Sequence, residues 1–234
     1  MTPSVPPTMD PDTDTIAWLI PTLNNRPALV AAHLPANAAH QTPSPLPTGG
    51  PALRLTFSKP PSSPSGFLIG TDPACDIVLP KLPGLSRRHA HLAFDASSRL
   101  VLTDTSRAGS AVWYDHQSNG DRRGGEWVLS SGFAHGFPDH VGRIVLDFHN
   151  VRFQVVVKGP GDDVDGYVRR VDEFMAGLGA QDDAAAAAVV PSVFGGWDGA
   201  GFVKHLVEEE GKAPRMFLWN SARPWDPIIP VSEY

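Results

Sequence analysis

Ser86, Arg87, Arg107 and Ser110 are the side chains of this sequence best suited to holding an anion. Hydroxyls and guanidinium groups, joined by backbone N–H donors, satisfy an oxyanion that carries more than one charge and several acceptor oxygens. Arg88 lies beside them in sequence. Other constellations are weaker. His89 and His91 share one face of a strand, with His135 and His140 further on, but no acidic or cysteine ligand stands at a spacing that completes a zinc site. Ser86 and His89 lack the Gly-x-Ser-x-Gly elbow and any evident triad partner for acyl transfer. The run Gly195-Gly196-Trp197-Asp198-Gly199-Ala200-Gly201 has no Lys-Ser/Thr after it and no strand before it, so it reads as a linker rather than a nucleotide loop. Val-Ala-x-Lys, His-Arg-Asp and Asp-Phe-Gly are all missing, which excludes a catalytic kinase domain in this sequence. The expectation is a non-enzyme with no metal and no cofactor.

The elements that must position the anion-binding candidates follow a two-residue period. Ile16, Trp18 and Ile20 alternate with Ala17 and Leu19, and Leu53, Leu55 and Phe57 with Arg54 and Thr56. Short apolar runs follow at Phe67–Gly70, Asp76–Leu79, Ala90–Phe94, Leu100–Leu102 and Ala111–Trp113, and then at Ile144–Phe148 and Val151–Val157. Turn chemistry separates them: Pro83-Gly84, Ala108-Gly109, Asn119-Gly120, Gly124-Gly125 and His149-Asn150. Many short strands at roughly ten-residue spacing indicate an all-β antiparallel sandwich or barrel. Trp18, Trp113 and Trp127 are expected in the core or half-buried.

After Gly159 the period changes. Val164, Tyr167, Val168, Val171, Phe174, Met175 and Leu178 recur at steps of three and four, with Asp162 or Asp163 as cap. This predicts an amphipathic helix over about 163–178, ending near Gly177 or Gly179. The organisation predicted is a disordered N-terminus over 1–13, a β-sandwich over 14–158 with a flexible loop at 36–51, and a C-terminal extension over 159–234. In that extension a short helix at Phe202–Glu210 precedes an irregular tail that holds Trp219 and Trp225.

Composition bounds the setting. Twenty-four prolines and 22 glycines among 234 residues favour turns over long helices, and the single Cys75 excludes an intramolecular disulfide. No apolar run reaches the roughly 18 to 20 residues of a membrane span, and the N-terminal stretch lacks the features of a secretory signal. An intracellular protein, cytoplasmic or nuclear and without a membrane partner, is expected. The net charge of −6 argues against nucleic acid as a partner. The charge is uneven, however: 81–125 holds seven positive and four negative residues, and 159–234 holds six and thirteen.

Several ordered pieces carry a resemblance. Ile69-Gly70, Cys75-Asp76-Ile77-Val78-Leu79, Ser86-Arg87-x-His89-Ala90 and Leu102-x-Asp104-x-Ser106-x-x-Gly109-Ser110 occur in order, followed by the closing strand pair at 144–157. In these pieces the sequence resembles the forkhead-associated (FHA) domain family over about residues 14–158. It looks most like the FHA domains of filamentous fungi, where the domain often precedes a Ser/Thr kinase. The resemblance implies an eleven-stranded β-sandwich whose loops at one end bind a phosphothreonine peptide. It further implies that Ser86 binds the phosphate, that Arg87 contacts peptide or phosphate, that Gly70 and Gly109 are structural glycines, and that His89 braces the loops.

Two positions depart from the family pattern. The arginine that follows the glycine is Thr71 here, and the asparagine of the Asn-Gly-Thr triplet is Ala108. Losing one charge-assisted hydrogen bond weakens binding by about ten- to a hundredfold. Arg107, one residue before Ala108, is the candidate to compensate. The alternatives are a degenerate FHA scaffold that binds an unphosphorylated partner, and a regulatory fragment of a kinase polypeptide. The acidic tail is a candidate intramolecular partner for the basic loops.

Overall fold

The computed structural model describes residues 13–47, 49–118, 120–132, 135–161 and 163–188. Twelve strands occur among them, against the eleven that the resemblance implied: β1 (Thr15–Pro21), β2 (Gln41–Pro43), β3 (Pro51–Thr56), β4 (Phe67–Gly70), β5 (Ile77–Val78), β6 (Ala90–Phe94), β7 (Leu100–Asp104), β8 (Ala111–Tyr114), β9 (Gln117–Ser118), β10 (Glu126–Val128), β11 (Ile144–Phe148) and β12 (Val151–Val157). Helix α1 covers Arg26–His33 and helix α2 Val164–Ala188. One sheet runs β2-β3-β1-β12-β11-β8-β9 and the other β10-β7-β6-β4-β5. All pairings are antiparallel except β4 with β5.

The period-2 pattern has the physical meaning expected of it. On β6, Ala90, Leu92 and Phe94 are buried, while His91 and Ala93 between them are half-buried. On β12, Val151, Phe153 and Val155 enter the core, and Arg152 and Gln154 turn outward. The core lies between the sheets, with Leu19, Leu53, Leu55, Phe148 and Phe153 on one side and Ile69, Ile77, Leu92 and Leu102 on the other. The β11–β12 hairpin closes on His149 and Asn150, both at positive φ, the geometry of a two-residue turn matched to the sheet twist. Trp127 is buried and Trp18 half-buried, but Trp113, beside the short edge strand β9, is 36% exposed.

Helix α1 was not anticipated. Its signals are local: the Asn25 side chain accepts from the Ala28 amide at 2.9 Å, Pro27 sits in the first turn, and Ala28, Ala31 and Ala32 form the buried face. Three alanines give little hydrophobic contrast, so the period is faint. The 36–51 segment, expected to be a flexible loop, contains part of a 3-10 turn at Pro35–Asn37 and also β2. Asn37 explains the order there: fully buried, it donates to the Ala31 and Val78 carbonyls and accepts from the Val78 amide, each at 2.8 Å.

Helix α2 starts on Asp163, whose carboxylate accepts from the Gly166 amide at 2.9 Å. Tyr167, Val171, Phe174 and Leu178 form its buried stripe, Val168 and Met175 are half-buried, and Val164 is exposed. Phe174 stacks on Phe67 with ring centroids 5.7 Å apart and meets Phe57 and Phe94 edge-on at 6.0 and 5.9 Å. The helix continues past Gly177 and Gly179 to Ala188, because the alanine run that follows has the highest helix propensity of any residue type. Residues 1–12, the Phe202–Glu210 helix and the tryptophans of the tail lie outside the described residues.

Candidate functional site

Register brings four connections to one end of the five-stranded sheet. Ile69 pairs with Ala90, Ala90 with Asp104, and Thr103 with Glu126. The segments after β4, before β6, after β7 and before β10 therefore emerge side by side. They enclose an open cleft of about 860 Å³ lined by Asp72, Gly84, Leu85, Ser86, Arg87, Arg88, Thr105, Arg107, Ala108 and Arg123.

Gly70 sets how closely the first two connections approach. A Cβ there would lie 2.1 Å from the Arg87 carbonyl oxygen, so glycine is the residue that fits. The backbones then zip together: the Thr71 amide donates to the Ser86 carbonyl at 3.1 Å, and the Asp72 amide to the Arg87 carbonyl at 3.0 Å. Cys75, a buried free thiol, donates to the same Arg87 carbonyl at 3.3 Å. Burial pushes its pKa up.

His89 is fully buried behind the cleft. Its Nδ1 accepts from the Ser86 amide at 3.0 Å, and its ring meets Phe148 edge-on at 5.7 Å. Burial holds its pKa below the ordinary value against the opposing pull of Asp104 and the Gly109 carbonyl, so the ring is neutral and its proton sits on Nε2. Nε2 makes no hydrogen bond of full geometry, and the Gly109 carbonyl is the acceptor that influences it.

Asp104, 2% exposed, organises the other two connections. Its carboxylate accepts from the Ser106 hydroxyl at 2.8 Å, the Ser106 amide at 3.2 Å, the Ser110 hydroxyl at 2.6 Å and the Gly124 amide at 3.0 Å. Four donors from two loops satisfy one buried charge. Ser110 and Arg122 add a backbone bridge, and Gly109 at φ +97° brings that loop against the Arg122 backbone.

The candidates are thus separated by position. Ser86, Arg87, Arg107 and Ala108 face the cleft. Ser110 does not: it is fully buried and its hydroxyl is committed to Asp104, so it supports the loop from behind. Thr71 lines the neighbouring hollow with Lys81 and Leu82, and its hydroxyl reaches the Ser86 carbonyl at 3.5 Å. The Ser86 Oγ accepts from the Arg107 amide at 3.1 Å, which leaves its own proton available to a ligand. Arg87, 84% exposed at the side chain, pairs with Asp72 at 2.5 Å. The Ala74 amide and then the Arg87 guanidinium hold the Asp72 carboxyl below the usual carboxylate range. Arg88, Arg107 and Arg123 have no carboxylate partner among the described residues.

Sequence reasoning did not single out Asp72 and Arg123. Arg123 lies 16 residues beyond Arg107 and returns to the cleft only because β10 pairs with β7. The signal available was the run Asp121-Arg122-Arg123 before Gly124-Gly125.

Residues 67–133, which contain every side chain lining this cleft, match the family model described as the FHA domain. The chain contains an FHA domain. No curated protein matches the chain. Among solved structures it is similar to the FHA1 domain of yeast Rad53, at 14% identity and TM-score 0.35 over 69% of this chain and 86% of that one. It is also similar to the N-terminal FHA domain of S. cerevisiae Rad53p in complex with a phosphothreonine peptide, at 17% identity and TM-score 0.34 over 61% and 91%. A third similar structure is Rad53 1-466 in complex with AMP-PNP, at 18% identity and TM-score 0.30. That match covers 49% of this chain and 24% of the Rad53 chain, so the FHA-containing chain spans about a quarter of its length. Among the described residues of the FHA chain, no helix is long and apolar enough to cross a membrane.

Proposed function

We propose that this chain is a protein-interaction module of intracellular signalling, non-catalytic, whose FHA domain binds a phosphothreonine-containing segment of a partner protein. The observation that carries this reading is the convergence of the Ser86 hydroxyl with the guanidinium groups of Arg87, Arg88 and Arg107 on one open cleft inside the FHA match. Phosphothreonine brings about −1.5 to −2 charges and three acceptor oxygens, the complement of that donor set. Ser86 donates its free hydroxyl proton to the phosphate. Arg107, exposed and unpaired by carboxylate among the described residues, supplies the cation missing at Thr71. Gly70, His89, Gly109 and Ser110 hold the loops. A cytoplasmic or nuclear setting fits a phosphothreonine ligand and a free Cys75 thiol. The acidic tail proposed as an intramolecular partner lies outside the described residues beyond 188.

The test is fluorescence anisotropy with a degenerate phosphothreonine peptide library and matched unphosphorylated peptides. The expected outcome is phosphate-dependent micromolar binding that weakens with salt and falls by about tenfold or more in Ser86→Ala. Unchanged affinity in Arg107→Ala would remove the compensating role of that residue.

A second reading has its own observation. With Thr71 and Ala108 in place of the family's arginine and asparagine, and Arg87 already paired to Asp72, the site suits a scaffold that binds an unphosphorylated partner. Equal binding of phosphorylated and unphosphorylated peptides, or of neither, would decide for it.

A further inference from the structure

A second concavity, of about 620 Å³, lies on the outer face of the seven-stranded sheet and shares no residue with the cleft. Its floor includes Ile20 and Gln154, cross-strand partners on β1 and β12. Phe153 and Val155 point into the core, so this pair faces away from it, and Ile20 is nonetheless only 5% exposed. One wall is the turn that leads into α1, with Leu23 and Leu29, and the other carries Leu46 and Pro51. Both walls are tied down. The Thr22 amide donates to the Arg152 carbonyl at 3.0 Å, the Asn25 side chain donates to the Asn150 carbonyl at 2.9 Å, and the Ser44 amide donates to the Gly50 carbonyl at 2.8 Å.

The groove combines apolar surface with unanswered positive charge. Leu23 is 89% exposed and Leu29 43%, so leucine side chains stand in water beside an apolar hollow. Arg26 and Arg143 also line it, both exposed and neither with an ion-pair partner among the described residues. The Asp115 carboxylate accepts from the Arg143 amide at 2.8 Å, and no carboxylate is among the described lining residues. A complementary occupant is therefore both apolar and acidic. A molecule sunk in the hollow leaves Leu23 in water, whereas an extended segment that crosses the rim covers it. Two guanidinium groups are too few to hold a nucleic-acid backbone.

We propose that this groove is a second docking site, for a short unphosphorylated segment of a partner protein in which leucine-like side chains are interspersed with carboxylates. The apolar side chains pack on Leu23, Leu29 and Leu46, and the carboxylates pair with Arg26 and Arg143. Every described lining residue falls outside 67–133: on β1, on the segment from β1 to the start of β3, or at Arg143 and Gln154. The site is thus built by what surrounds the FHA match. It stands whether or not the cleft binds phosphothreonine.

The test uses the full chain, fluorescence anisotropy and three sets of labelled octapeptides: leucines interspersed with glutamates, the same peptides with lysine for each glutamate, and the same with serine for each leucine. The glutamate–leucine set is expected to bind in the micromolar range, about tenfold or more tighter than either other set. Leu23→Ser should weaken that binding about tenfold with the thermal midpoint unchanged, because the side chain is exposed. Arg26→Glu combined with Arg143→Glu should reverse the preference, so that the lysine set binds the tighter. Arg99→Ala, which removes a charge paired with Asp95 elsewhere on the surface, should change nothing. Equal affinity for the three sets, affinity that survives Leu23→Ser, or no reversal in the double variant overturns the inference. Dimerisation in sedimentation that Leu23→Ser abolishes would give the groove to a second copy, and binding of decanoate with no binding of peptide would give it to a small amphiphile. Either result overturns the inference as well, and none of these outcomes bears on the phosphothreonine reading.

Discussion

A carboxylate already sits among the cations of the cleft. Asp72 holds Arg87 at 2.5 Å, its own position fixed by the Ala74 amide at 3.1 Å, so a ligand that needs Arg87 must first displace an internal anion. An exposed pair of this kind stabilises the protein little. Its effect on a competing phosphate is more direct. Asp72→Asn keeps the shape and removes the charge, and phosphopeptide affinity should rise by about two- to fivefold, most clearly at low salt. Titration of both proteins at two ionic strengths checks this, and equal affinities would mean that Arg87 takes no part in binding. At the same scale, Ser86 and Ser110 show how alike two serines look in sequence and how differently they are used. Both flank the motif pieces, yet Ser86 lies at the cleft with a proton to give and Ser110 is sealed against Asp104.

Helix α2 closes the sandwich at the end away from the cleft. It lies outside the residues that match the family model, yet Phe174 completes an aromatic cluster with Phe57, Phe67 and Phe94. Phe174→Ala should cost about 3 kcal/mol and lower the thermal midpoint by roughly 6–12 °C, while cleft binding at low temperature is retained. Calorimetry together with peptide titration separates the two, and an unchanged midpoint would show that the helix is not needed by the core. The stripe Tyr167, Val171, Phe174, Leu178 was readable because large apolar residues at steps of three and four mark one helical face. Strands β6, β7, β11 and β12 were readable for the equivalent reason at period two. Helix α1 was not, since alanines provide its buried face and its start depends on one asparagine cap. Arg123 was not either, because its place depends on a pairing between β7 and β10 that no local pattern encodes.

Taken whole, the molecule buries His40 and His89 and half-buries His91, and burial favours the neutral form of all three rings. His40, His89 and His91 all have pKa values below the ordinary 6.5, with burial as the largest cause in each. In the unfolded chain the same rings take up protons near 6.5, so below that pH the unfolded state binds more protons and stability falls. Above about pH 7 these groups contribute no slope. Urea unfolding at pH 7.5 and pH 5.5 should show the lower stability at 5.5, and equal or higher stability there would contradict neutral burial. Because His89 links the Ser86 amide to the core, the acid loss should reach the cleft as well. The chain also carries a reporter of how often that region opens. Cys75 is its single thiol, 7% exposed and tied to the Arg87 carbonyl, on the inner side of the segment that faces the ligand. Its alkylation rate by a small maleimide therefore reports how often the cover around it opens, a cover made by the Arg87 carbonyl together with Leu34, Leu68 and Val78. A phosphopeptide bound in the cleft should slow that rate in proportion to its occupancy, without any label having been introduced.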